Sequence, residues 1–131
     1  MKIRWGRVII LALALEAVMF AVFLPIQSRL SPRAWLVAVG CGAVVFSYAA
    51  GWLAGRGLRS HAAVNGFLVG AIETAIYLAL NIFGPGGIAV ALGVYGLPLF
   101  IGLNVAKIAA TTAGALHAKL RGGRLSVTSV F

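Results

Sequence analysis

VIILALALEAVMFAVFLPI, residues 8–26, carries no charge except Glu16. As a helix at ~1.5 Å per residue it is ~29 Å long, the thickness of one hydrocarbon core. Within lipid such a stretch has to satisfy its own backbone hydrogen bonds, and a helix does that alone. Lys2, Arg4 and Arg7 precede it, as in a signal peptide, but only Pro25-Ile26-Gln27-Ser28-Arg29 follows, with no small-residue cleavage pattern. The stretch is therefore read as a retained first membrane helix.

The rest of the chain repeats the pattern. Ser31 and Pro32 start a second expected helix over 34–54, which stops at Gly55-Arg56-Gly57. A third covers 62–83, launched by Arg59-Ser60-His61. It ends at Gly84-Pro85-Gly86-Gly87, because proline and repeated glycine cannot continue a helix at low cost. The fourth, 88–116, is expected as one helix kinked near Gly96 and Pro98, with Lys107 snorkelling to the headgroups rather than serving as a counter-ion to Glu16 or Glu73. The competing arrangement is an interfacial piece up to Tyr95 and a span from Leu97, which would put Lys107 deep in the membrane. Together these segments predict an all-α, integral membrane bundle of four transmembrane helices in one domain, 1–131, with a basic tail over 117–131.

Composition agrees. The 131 residues are 62% hydrophobic and 10% charged, against ~25% charged in soluble domains. The formal charge is +9, with only two acids. Such a basic balance often signals nucleic acid, but here the eleven Lys and Arg sit between apolar blocks. They read as topology signals and contacts with anionic headgroups rather than as a nucleic-acid surface. Under the four-span reading nine of them (Lys2, Arg4, Arg7, Arg56, Arg59, Lys107, Lys119, Arg121 and Arg124) fall on one side. Only Arg29 and Arg33 fall on the other. The positive-inside rule then predicts both termini in the cytoplasm. The lone Cys41, inside an apolar run, excludes an intrachain disulfide and reads as a packing residue.

Small residues recur at four-residue spacing on three of the helices. Ala43, Ser47, Gly51 and Gly55 form one ridge, Gly66 and Gly70 a GxxxG step, and Gly102, Ala106, Ala110 and Gly114 another ridge. Helices in lipid associate by such close packing and by polar contacts, so these ridges are expected as internal seams.

Both acids lie inside expected spans. A charge at mid-membrane costs ~2.5–3.5 kcal/mol on insertion scales, so such residues face the bundle interior and are often functional. Counted from the basic cluster that starts each helix, Glu16 and Glu73 fall at similar depth, where they can share a proton or coordinate a cation. Asn65, Tyr77 and Asn81 follow Glu73 on its i±4 row. Pro98 frees the Val94 carbonyl, to which a protonated Glu73 could donate. The plainer expectation is buried polar glue, with Glu16 and Glu73 bonded to Tyr77, Asn104 or freed carbonyls. His61 and His117 fall at the helix boundaries, which argues against a haem. No metal, cofactor or catalytic constellation is expected: the chain has no Asp, no HExxH, and no P-loop Lys or Ser/Thr after Gly84-Pro85-Gly86-Gly87.

Two resemblances bear on function. Gly51-Trp52-Leu53-Ala54-Gly55-Arg56 through Asn65-Gly66-Phe67-Leu68-Val69-Gly70 resembles the second-to-third helix region of uncharacterised small bacterial four-helix membrane proteins. It implies a bacterial inner-membrane location and no activity. Leu15-Glu16-Ala17-Val18 is similar to the first-helix motif of small multidrug resistance exporters, which implies a proton-coupled role for Glu16. The chain departs from those exporters in its second acid, its charge bias, its fourth helix and its length. The resulting expectation is a non-catalytic accessory or scaffold protein, partnered by another membrane protein or a second copy. The alternative is a small proton- or cation-coupled transporter using Glu16 and Glu73.

Overall fold

In the computed structural model the backbone is described for residues 3–128 and the side chains for residues 3–122. The described residues form five helices: α1 (Trp5–Gln27), α2 (Pro32–Gly55), α3 (Ala62–Phe83), α4 (Ile88–Tyr95) and α5 (Leu97–Thr128). Four of them, α1, α2, α3 and the part of α5 from Leu97 to Gly122, are long and apolar enough to cross a membrane. Their outward faces are apolar, with Ile10 66% and Phe83 87% exposed, as expected of a surface solvated by lipid tails.

Local chemistry sets the helix ends. The Ser31 hydroxyl accepts from the Ala34 amide at 3.3 Å, and Pro32 occupies the first turn of α2, where its missing N–H costs nothing. The turn after α3 uses Gly86 and Gly87 at φ +81° and +65°, a backbone region closed to most side chains. At its other end α2 is closed by a cation. The Arg7 guanidinium donates to the Arg56 carbonyl at 2.8 Å and reaches Leu53 O at 3.5 Å, where carbonyls lack helical partners.

Asn65 ties α1 to α3. Its Oδ1 accepts from the Arg4 amide at 3.1 Å and its Nδ2 donates to His61 O at 2.9 Å. With the side chain 1% exposed, both bonds are sheltered from water. Asn65→Ala is expected to lower stability by about 1–2 kcal/mol, the range for lost caps and buried bonds. Thermal unfolding in detergent micelles measures it.

Helix α5 lies against both α2 and α3, and α1 packs on the other side of that pair. Glycines set the spacing. A Cβ on Gly51 or Gly55 would strike the backbone of Thr111 or Ala115, and one on Gly114 would strike Tyr48 and Trp52. Gly66 and Gly70 face the same stretch of α5 from α3. Ala43 and Ser47 are buried on the same side of α2, and the Ser47 hydroxyl has no partner among the described residues. Ser47→Ala is accordingly expected to leave stability unchanged or slightly raised in the same unfolding assay.

Three expectations are corrected. The fourth segment is two helices rather than one kinked helix: Gly96, at φ +73° and ψ +153°, breaks the chain between α4 and α5. The small-residue row on α5 is also shifted. Gly102 is exposed and meets no neighbour, and the buried row runs through Asn104, Lys107, Thr111, Gly114 and Ala118. Finally, the segment taken as a tail from 117 continues α5 through Thr128, since no proline interrupts it. Residues 129–131 lie outside the described residues.

Candidate functional site

Breaking the chain at Gly96 rather than bending it resets the depth of everything after it. Lys107 then stands ten residues into α5, about 15 Å along its axis. It does not snorkel. Lys107 Nζ donates to Glu73 Oε1 at 2.7 Å, with the two side chains 7% and 0% exposed. The ammonium also stands 4.5 Å from the centre of the Tyr77 ring, within cation–π range. The expected partner of Glu73, the Val94 carbonyl, is replaced by this cation. Thr74 Oγ1 supplies a longer bond to Glu73 Oε2, at 3.4 Å.

Glu16, on α1, adjoins Glu73 and is itself 6% exposed. Lys107 is spent on Glu73, and no described cation lies within ion-pair distance of Glu16. Two acids and one base therefore meet where three apolar helices cross. An isolated charge there would cost several kcal/mol, so the second acid either holds a proton or faces a cation.

Above this triad is a cavity of about 300 Å³, reached by Glu16, Glu73 and Lys107 at one end and by Gln27, Trp35 and Asn81 at the other. Its walls are aromatic. Trp35, Tyr95, Phe100 and Tyr77 form a chain of ring contacts at 6.0, 6.5 and 5.9 Å between successive centres. Phe20 and Phe23 of α1 line it as well. The Trp35 indole donates to the Phe23 carbonyl at 3.3 Å, joining α1 to α2 across the cavity's far end. The short helix α4 covers the cavity with Val90, Ala91, Val94 and Tyr95.

Asn104 also lines the cavity. Its Nδ2 donates to Phe100 O at 2.8 Å, and because a carbonyl can only accept, this contact fixes the orientation of the amide. The Oδ1 is then sealed in by packing, with no hydrogen-bond partner among the described residues.

The structure thus brings Glu16, Glu73, Tyr77 and Asn104 together and adds Lys107. It separates Asn65, which closes the far end of the bundle, and puts Asn81 at the cavity's outer rim, where its Nδ2 donates to Tyr77 O at 2.8 Å. Pro98 lies in the first turn of α5, where proline breaks no helical bond. His117 sits away from the cavity, bonded through Nδ1 to the Tyr48 hydroxyl. No group of three or more metal-ligating His, Cys, Asp or Glu occurs among the described residues. Sequence reasoning placed snorkelling ahead of a counter-ion role for Lys107, which the structure reverses, and it missed the aromatic residues of the cavity. For Lys107 the signal was present: the chain's one base within an apolar span, opposite its two acids. Comparison of the chain with protein-family models, curated proteins and solved structures finds no match.

Proposed function

We propose that the protein is a small, non-enzymatic carrier that takes protons across the membrane at Glu16 and binds a ligand beside that acid. One observation carries this reading: an acid without a cation, beside a complete ion pair, opens onto a cavity large enough for a small organic molecule. Polar glue alone calls for satisfied bonds and tight packing, as at Asn65. An open aromatic cavity over an unbalanced acid fits a binding site better. Glu73 and Lys107 hold the floor of the site neutral and rigid. Glu16 is the group whose charge changes.

The reading includes a cytoplasmic location for both termini. With Lys107 buried, eight basic residues remain on that side against Arg29 and Arg33 on the other, still a strong positive-inside bias. A bacterial inner membrane is part of the same proposal. The competing role, an accessory or scaffold subunit, draws support from the absence of any catalytic motif and gives the cavity no task.

Purified protein in vesicles containing a pH-sensitive dye separates the two. After an external pH jump, wild-type vesicles should equilibrate faster than empty ones, and Glu16→Gln should return them to the empty rate. Equal rates for wild type, variant and empty vesicles would remove the carrier reading and leave the accessory role.

A further inference from the structure

Lys107 shows what the site is built to hold. Its ammonium rests on a carboxylate, Glu73, and on the face of an aromatic ring, Tyr77. The same elements recur beside it. Glu16 offers a second carboxyl, and Phe20 and Phe23 of the same helix also line the cavity.

We infer that the cavity takes a lipophilic amine: a ligand with an N–H-bearing ammonium head that donates to Glu16, and an apolar or aromatic body lodged against Trp35, Tyr95 and Phe100. The assignment deepens the carrier reading and rests on the same site. Charge selects the head group. An anion would face two acids against one base that is already engaged, whereas an ammonium balances the acid with which Lys107 forms no ion pair. Hydrogen bonding selects further. A quaternary ammonium has the charge and suits the aromatic faces, but it has no N–H for Glu16, so the site distinguishes it from a primary amine. The body is selected by the walls, whose rings and aliphatic side chains line an apolar volume of small-molecule size.

Three probes test the assignment by calorimetry on wild-type protein in phosphatidylcholine nanodiscs, with empty nanodiscs as baseline. They are 4-phenylbutylamine, its N,N,N-trimethylammonium counterpart and 4-phenylbutanol. The amine should bind at least ten times more tightly than either of the others, and Glu16→Gln should remove most of that advantage. Gly102→Ala, at a position far from any neighbour, should leave it intact. Equal affinity for the three probes, or an amine preference that survives Glu16→Gln, would overturn the assignment. The wild-type series needs no variant, so the test stands even where Glu16→Gln fails to fold. Amine binding without proton movement in the vesicle assay would remove the carrier reading and keep this ligand. Proton movement without amine preference would do the reverse.

Discussion

Replacing Glu73 by leucine is expected to destabilise the bundle by about 3–5 kcal/mol, the usual result of stripping one partner from a buried ion pair. The loss comes less from the missing attraction than from what remains: Lys107, 6% exposed, with its charge uncompensated in an apolar interior. Three companion variants identify the cause. Glu73→Gln keeps an acceptor for the ammonium and should cost less. Replacing Glu73 and Lys107 together by leucine removes the stranded charge and should recover most of the loss, because an apolar pair of similar volume is often as stable as the ion pair. Glu16 is the only other carboxylic acid side chain in the protein, and it adjoins the same site. Adding Glu16→Gln to Glu73→Leu denies Lys107 its second carboxyl and should lower stability again. Unfolding titrations in mixed micelles report all four.

The second large effect lies at the seam between α2 and α5. A Cβ on Gly51 would run into the carbonyl oxygen, carbonyl carbon and Cα of Thr111. Those atoms belong to the facing helix backbone and cannot rotate away as a side-chain tip can. Gly51→Ala must therefore push the helices apart, at a cost at or above the ~1–3 kcal/mol typical of overpacking, and Gly51→Leu should prevent a stable bundle. Gly102→Ala is the control. Its Cβ meets nothing within 4 Å, so the exchange should be neutral or gain the ~0.5–1 kcal/mol that alanine holds over glycine in a helix. Thermal denaturation of the three variants should rank Gly102→Ala first and Gly51→Leu last.

Much of this architecture is legible from local chemistry. The bounds of α3 and the turn at Gly84-Pro85-Gly86-Gly87 follow from a launch and a stop that both lie in the sequence. The ridges at Gly51, Gly55, Gly66 and Gly70 were readable because close approach needs small residues wherever the partner lies. The break at Gly96 was not. A glycine two residues before a proline permits a bend or a break, and the chain's path over α4, set by tertiary packing, decides between them. Everything about Lys107 depended on that choice. The row Asn65, Glu73, Tyr77 and Asn81 misled for a different reason. Sixteen residues on one helical face extend ~24 Å, so residues that share a face need not share a depth. Asn65 closes one end of the bundle while Asn81 borders the cavity at the other. The aromatic walls come from all five helices, and no linear pattern connects residues so far apart in the chain.

Infrared difference spectroscopy on the reconstituted protein, between acidic and alkaline buffer, addresses most directly the claim that Glu16 carries the exchangeable proton of an intramembrane site. The account predicts a carboxylic acid C=O band that appears with acid, shifts in deuterated buffer, and is absent from Glu16→Gln. A pH-independent spectrum, or a band that persists unchanged in Glu16→Gln, would contradict it.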